Sequence, residues 1–592
     1  MEQGDKRRGW VAIILLLVAV VCSTWVGIGI GRGIESSQTK RMLGAMSEDI
    51  ARYNEFAKEA AALEEFVSGK DKMMQTVLSI RSHYVDPISL DTIYEKAIPK
   101  ILSELDPHSE YIPAKIFEQV NESLEGEFDG IGIVFNAMTD TITVLNVIPQ
   151  GPSDKAGVRA GDRVMLIDGR EVAGKGIPQD SMVRLMRGPR GSKVTLSVKR
   201  SSLDKLVDIT ITRAAIEMHS VEASFMLDAE AGIGYVRLSQ FSRTSYAEVR
   251  NALDRLKGEG MQSVIIDLRG NGGGFLDQVV QIVNELLPAG KLIVYTEDRH
   301  GQRVNEFSNG KGQYADTDIV VLVDEFSASS SEILAGAVQD NDRGVIVGRR
   351  SFGKGLVQNQ LPYSDGSALR LTTARYFTPT GRSIQKPYEK GHGEDYELDM
   401  VNRYNNNEFF SADSIHFSDS IKFTTPTGRT VYGGGGIMPD YFIPFDTTDI
   451  TRYFMQVSGR NIIYRYTLDY ADKHREALNK VETLVDLTAL LDADKGMFED
   501  FIRYAERQGV RPVRREIERS RKIITSQLRA YIGRNTALED DGFYYNIFPI
   551  DDEVQRSIEI FESGEYDKII APREQTEVQA DEQPKESEQE EK

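Results

Sequence analysis

Val320-Val321-Leu322-Val323-Asp324-Glu325-Phe326-Ser327-Ala328-Ser329-Ser330-Ser331-Glu332-Ile333-Leu334-Ala335-Gly336-Ala337-Val338 passes from an apolar run, through a hydroxyl-rich turn, into a second apolar stretch. The first run has the unbroken β-branched character of a strand buried on both faces. The second has Glu332 near its start, so Ser329-x-x-Glu332 reads as a capping box. Strand, turn and helix in that order are part of a crossover unit. A serine at such a switch also points its oxygen toward a helix N-terminus, where backbone donors and the dipole stabilise charge developing in acyl transfer. The cap is the plainer reading of Ser329 taken alone, and the two readings are compatible.

A serine nucleophile needs a base. The chain contains no Gly-x-Ser-x-Gly elbow and no His-Glu-x-x-His helix. The available base is Lys354 in Phe352-Gly353-Lys354-Gly355. It must be neutral to act, so its pKa has to fall from about 10.4 toward the working pH, which desolvation does. An exposed turn lysine is the ordinary alternative, and the glycine spacing is wrong for a Walker-A lysine. Upstream, Ile265-Ile266-Asp267-Leu268-Arg269-Gly270-Asn271-Gly272-Gly273-Gly274 runs from a strand into a glycine-rich turn. Its free amides lie where open α/β sheets bind ligands, and could hold a phosphate, a nucleotide or an oxyanion.

These segments sit in an α/β block from 233 to about 444. Strand-like runs at 233–238, 263–268, 292–295, 319–323 and 344–347 alternate with helical stretches at 246–256, 276–287 and 332–339. That alternation predicts a substantially parallel sheet. Residues 386–432 are polar and rich in tyrosine and asparagine, and read as an insertion. Before the block, 124–213 changes to short β-rich runs (131–135, 142–147, 163–167, 193–199) divided by glycine turns. Earlier still, about 47–120 is helical, with Phe66, Met73, Val77 and Ile80 at helical spacing and breaks at Asp86-Pro87 and Asp106-Pro107-His108-Ser109. His108 reads as a polar residue organising a helix–helix turn rather than as a catalyst. Residues 449–571 are mostly helical and read as a separate domain or packing arm without visible chemistry.

Within the β-rich block, Gly130-Ile131-Gly132-Ile133 resembles the carboxylate-binding loop of PDZ domains. Gly151-Pro152-Ser153-Asp154-Lys155-Ala156-Gly157-Val158, with Ala160-Gly161-Asp162 and Ile167-Asp168-Gly169, resembles their central helix, turn and following strand. A glycine turn of this kind can capture a peptide's terminal carboxylate in a nest of amides, and the adjoining strand edge can accept the peptide as an added strand.

The catalytic segments together resemble the C-terminal processing peptidases, or tail-specific proteases: serine/lysine-dyad endopeptidases with a PDZ domain before the catalytic core. Ser327-Ala328-Ser329-Ser330-Ser331-Glu332-Ile333 matches the family's serine motif, with Ser330 replacing alanine. Phe352-Gly353-Lys354-Gly355-Leu356-Val357-Gln358 matches its lysine motif, and Asp267 to Gly274 its loop motif, with Gly272 replacing proline. Further matches are 105–109, 373–379 and 436–440. The resemblance implies Ser329 as nucleophile, Lys354 as general base, Gln358 as the residue orienting it, and the amides of Gly273 and Ser330 as oxyanion hole. It also implies a supporting role at most for Asp340 and PDZ–protease coupling through Arg187, for which a solvated loop arginine is the alternative. The implied fold class is multi-domain α+β: a helical N-terminal region (36–120), a PDZ domain (121–214), a crotonase-like (ClpP-like) α/β protease core (215–448), and a helical C-terminal domain (449–572). Two other functions stay open, a catalytically inactive PDZ scaffold and an acyl-thioester enzyme on a crotonase-like core.

Bulk properties fit this organisation. At 592 residues the chain exceeds one ordinary core. Its net charge is −20, and the tail 573–592 lacks aromatics and reads as disordered. An acidic chain without a sustained basic stripe argues against nucleic-acid binding. Neither a metal nor a cofactor is expected. One cysteine, Cys22, excludes an internal disulfide. Lys6, Arg7 and Arg8 precede an apolar stretch, 11–30, long enough to cross a bilayer. A single-pass anchor in a bacterial cytoplasmic membrane is therefore expected, with 1–35 as stub and span and the catalytic part on the extracytoplasmic side. A cleaved signal peptide is the rival reading. Expected partners are proteins with unstructured C-termini, the membrane, and in the open a second copy of the chain.

Overall fold

The computed structural model describes residues 72–136, 141–148, 150–159, 161–200, 203, 205–391, 393–416 and 421–571. The 11–30 stretch and the acidic tail lie outside them. No helix among the described residues is long and apolar enough to cross a membrane. The described residues divide between Lys96 and Ala97 into two units. In the first, Met73, Val77 and Ile80 fall on the helix Lys72–His83, as their spacing predicts.

In the second unit, helix α1 (Ala114–Glu125) leads into the β-rich block. Its strands Ile133–Asn136, Ile142–Val147, Arg163–Ile167, Lys193–Lys199 and Val207–Thr212 make one antiparallel sheet in that order. Inward residues such as Ile142, Val144, Val164, Val194 and Leu196 alternate with less buried ones and close a small core with Met182 and Met186 of helix α2 (Gln179–Met186). Flanking strands Glu127–Gly130 and Ala214–Glu217 pair antiparallel at the entry to and exit from this block.

The α/β core is built on a sheet of β1 (Val221–Asp228), β2 (Ile233–Leu238), β3 (Ser263–Asp267), β4 (Asp318–Val323), β5 (Val345–Gly348) and β6 (Tyr441–Phe442), adjacent in that order. All neighbours from β2 onward are parallel, and β1 is antiparallel to β2. A parallel sheet must be covered on both faces. Helices α3 (Ser245–Gly258), α4 (Leu276–Leu286) and α5 (Ser330–Asp340) cover one, packing Leu253, Ile282, Leu334 and Val338 on Val264, Ile266, Val321 and Val323.

The other face carries Tyr235, Ile265, Val320, Leu322, Val345 and Val347, and is covered by Phe548, Val554, Ile560 and Tyr566 from the end of the chain. Such buried side chains are worth about 1.5–3 kcal/mol each. The helical C-terminal region thus divides. Residues from Tyr453 to Ile532 close a core of their own, whereas helix α6 (Asp552–Glu562) and its neighbours cover the parallel sheet. A second correction concerns 292–295. That segment, Leu292–Asp298, does not join the parallel sheet; it pairs antiparallel with Arg303–Phe307 and Ala368–Phe377. Leu356–Pro362 and Glu110–Ile112 flank the same long strand. Strand propensity locates an element but not its partner, and here a partner 80 residues away in sequence decides.

Asp340 ends α5, and Arg382 lies fully buried against it with two further acceptors, Gln339 Oε1 and Tyr432 O. Asp340→Ala leaves a buried guanidinium without its charge partner, so urea unfolding is expected to report a loss of about 3–5 kcal/mol. Wild-type stability in that variant would refute the structural assignment.

Candidate active site

Ser329 sits between β4 and α5 with φ 55° and ψ −113°, in a region a non-glycine residue rarely occupies. It is the N-cap of α5 and is arranged with Glu332 as a capping box, although its hydroxyl makes no cap hydrogen bond. The bond that holds the turn runs from Ser329 N–H to the Glu332 carboxylate, 2.9 Å. Ser330, at the first helical position, has an amide with no intrahelical partner. The neighbouring hydroxyls anchor the turn: Ser327 Oγ donates to Leu268 O, Ser330 Oγ to Gly274 O and Ser331 Oγ to Asn271 O.

The glycine-rich loop lies directly against this turn. A Cβ added at Gly273 (φ 101°) would stand 2.7 Å from Ser329 Cβ, and one at Gly274 (φ 149°) would stand 2.1 Å from Phe241 O. Both positions therefore require glycine, for close approach as well as for backbone conformation. Space around Gly272 is open, and the loop keeps its course through Phe241 N–H to Gly273 O (3.0 Å) and Phe275 N–H to Phe241 O (2.8 Å). The Gly273 amide donates to Asn271 Oδ1 at 2.8 Å, so of the two predicted oxyanion donors this one is occupied in the structure.

Lys354 is half-buried, and its Nζ donates to Gln358 Oε1 at 3.1 Å. Gln358 Nε2 in turn donates to His108 O. That carbonyl belongs to a turn folded around Asp106, whose carboxylate accepts from His108 N–H (2.8 Å), Ser109 N–H (2.8 Å) and Ser109 Oγ (2.7 Å). The turn joins a helix to the strand Glu110–Ile112, not helix to helix as the sequence suggested. The His108 ring bonds Tyr396 Oη (2.9 Å) and is driven down to about 4 by burial and by nearby Lys354. No hydrogen bond joins Lys354 Nζ to Ser329 Oγ; the two line one cavity of about 700 Å3 together with the glycine loop and Val120 and Leu124 of α1. Catalytic hydrogen bonds are often long until substrate arrives.

Glu332 was legible only as a cap, and it does more. Its fully buried carboxylate accepts from Ser329 N–H (2.9 Å), Lys354 N–H (2.9 Å), Gly353 N–H (2.7 Å) and Ser351 Oγ (2.5 Å). It thereby ties the serine turn to the lysine loop. Burial pushes it up to about 7, against those hydrogen bonds. The insertion supports the same loop from outside: Arg403 donates to Arg350 O and Ser351 O, and Lys386 Nζ lies 4.0 Å from the ring centroids of both Phe352 and Tyr396. Asp340, expected as a supporting acid, is not brought here. It stands at the far end of α5, about 15 Å away by helix rise.

In the β-rich block, Gly130, Ile131, Gly132 and Ile133 form the turn into an edge strand, Ile133–Asn136, which is paired on one side only. Gly132 has φ 70°, and among the described residues no acceptor is found for the Ile131 and Gly132 amides. Arg187, just after α2, pairs with Glu122 of α1 and stacks over Phe128 at 4.5 Å. It is not a free loop arginine.

The sequence profile of Peptidase family S41 matches residues 232–398, that of the PDZ domain residues 130–211, and that of a family of unknown function residues 453–537. The chain is 39% identical over 311 residues to a carboxy-terminal-processing protease of Bartonella bacilliformis, covering 52% of this chain and 70% of that protein. It is 36% identical over 295 residues to a carboxyl-terminal-processing protease of Synechocystis, covering 49% and 68%. It is 31% identical over 364 residues to the carboxy-terminal processing protease CtpB of Bacillus subtilis, covering 61% and 73%.

Burial, and secondarily the Arg370 charge, lower the Lys354 pKa below its ordinary 10.5. A lysine with a lowered pKa is unprotonated over a wider pH range, so a role of Lys354 as base predicts hydrolysis that rises with pH as it loses its proton. The kcat/KM profile should level off at an apparent pKa below 10.5; a profile flat from acid to alkaline pH would exclude Lys354 as the base.

Proposed function

Because the chain belongs to the carboxy-terminal processing proteases of peptidase family S41, we propose that it hydrolyses peptide bonds through a Ser329/Lys354 dyad and an acyl-enzyme. The observation that carries the reading is the joint placement of Ser329, the Gly273–Gly274 loop and the Gln358-bound Lys354 around one cavity. Neutral Lys354 takes the Ser329 proton as Oγ bonds to the scissile carbonyl carbon. The Ser330 amide, joined by the Gly273 amide once it leaves Asn271, stabilises the oxyanion. Collapse breaks the C–N bond, and the proton on Lys354 passes to the leaving amine. Lys354 then activates water, which displaces Ser329 from the acyl carbon. Gln358 orients the lysine, and Glu332 keeps the two loops in register.

The PDZ block would recognise unstructured, apolar C-termini. Its turn of unpaired amides suits a carboxylate, and the open edge strand suits an added peptide strand. Arg187 connects the two functions, since Glu122 lies on the helix that also lines the catalytic cavity. The basic cluster before 11–30 supports anchoring in a membrane with the protease on the extracytoplasmic side.

The deciding experiment compares wild type, Ser329→Ala and Lys354→Ala on a protein carrying an apolar unstructured tail. Each variant is expected to lose at least about a thousandfold in kcat; equal cleavage by all three would sink the dyad. A second measurement addresses coupling, with a tail peptide added in trans to a tailless substrate. Arg187→Ala and Glu122→Ala should each abolish the peptide's effect on rate, and the double variant should do no more than either single. Additive effects would separate the two residues.

A further inference from the structure

Behind the catalytic cavity, the three loops that form it meet in one ionic cluster. Arg269, on the segment leading to the glycine loop, pairs with Asp267 at 2.6 Å. Arg349, five residues before Lys354, pairs with Glu325, four before Ser329, at 2.8 Å. The cluster is completed from the far end of the chain. Asp551, the N-cap of α6, receives both terminal nitrogens of Arg269 (2.9 and 2.8 Å), and Glu553 accepts from Arg349 (2.6 Å) and Arg269 (3.4 Å). All these side chains are largely buried, so each carboxylate holds its guanidinium with little screening from water.

We propose that Asp551 and Glu553 are positioning residues for the serine site, holding from outside the core the two arginines that fix the oxyanion, serine and lysine loops relative to one another. The path from Asp551 is continuous. Arg269 O also accepts from Arg237, Gly270 N–H donates to Asp324 beside the serine turn (2.9 Å), and Asn271 meets that turn at Ala328 N–H and Ser331 Oγ while its own Oδ1 takes the Gly273 amide. Releasing Arg269 frees the segment that sets where Gly273 points. From Glu553 the path is shorter, through Arg349 to Glu325 on one side and to the lysine loop on the other. The arm therefore acts through other residues and touches no substrate. Its geometric demand is strict, because a displacement of about 1 Å in a catalytic donor can cost about 100-fold in rate.

This inference rests on the dyad reading, and the experiment separates the two. In the full chain, Asp551→Asn, Glu553→Gln, Asp551→Glu and the control Asp541→Asn are assayed on the tailed substrate beside Ser329→Ala, with thermal melts of each. Asp541 docks the same C-terminal region onto the same sheet, accepting Ser224 N–H at 2.8 Å, but lies outside the arginine cluster. Asp551→Asn and Glu553→Gln are expected to lower kcat about 10- to 100-fold with KM within about twofold. Their double variant should fall no further than the worse single, Asp551→Glu should regain part of the rate, and Asp541→Asn should keep wild-type kcat. Wild-type kcat in Asp551→Asn, or an equal loss in Asp541→Asn, overturns the proposal, the second by reducing the arm to plain docking. Full activity in Ser329→Ala overturns the dyad alone, since the arm is read against wild type.

Discussion

The site depends on one buried carboxylate. The serine turn and the lysine loop leave the ends of the paired parallel strands β4 and β5, and Phe352 N–H bonds Ser327 O at 3.0 Å, but that pairing ends before Ser329 and Lys354. Glu332 carries the restraint on to both residues by accepting from both backbones and from Ser351 at once. Burial raises it from 4.5 to about 7, so keeping it ionised costs about 3 kcal/mol at neutral pH relative to water. The sign follows from the raised folded-state value. The stability contributed by proton binding is full below the unfolded pKa and is lost as pH rises through about 7. The arrangement thus trades stability near and above neutrality for a carboxylate with enough lone pairs to serve every donor.

That trade explains why a helix cap and the strained serine turn share one short motif. A cap fixes the backbone of its own helix, and a positive φ at Ser329 needs more than that to persist. Here the cap's glutamate is pinned on its far side by Gly353 and Lys354, so the strained turn is over-determined from two directions. The lysine loop is itself pressed by the insertion through Arg403 and Lys386. The insertion, without motif chemistry of its own, belongs to the scaffold of the lysine loop.

What the sequence displayed was local: the β4–α5 switch, the glycine loop, the PDZ turn and the parallel alternation, because period and turn chemistry are written in neighbouring residues. Partners remote in the chain were not displayed. The strand Leu292–Asp298 keeps its strand pattern in either sheet, so pattern could not reveal that Ala368–Phe377 claims it. Asp340 matched by position in a helix, but helix geometry carries it away from Ser329 and into a pair with Arg382. His108 invited a reading through its ring, whereas the contact that bears on Lys354, through Gln358, is its carbonyl, which no side-chain reasoning registers.

The C-terminal arm shows the same limit most sharply. Residues 449–571 were legible as a helical domain or packing arm, yet the target of their last part, from Phe548 to Tyr566, is the second face of the parallel sheet. Once Phe548, Val554 and Ile560 dock there, the chain must place the start of α6 beside the C-terminal ends of β3, β4 and β5, which is where the catalytic loops emerge. An acid at that helix start is favoured by the N-terminal dipole in any case. Two acids there, facing two arginines that the loops already pair with Asp267 and Glu325, add an electrostatic restraint on the site to a hydrophobic cover. Covering the sheet and aligning the loops are thus consequences of one packing event, and a change that loosens the first must reach the second.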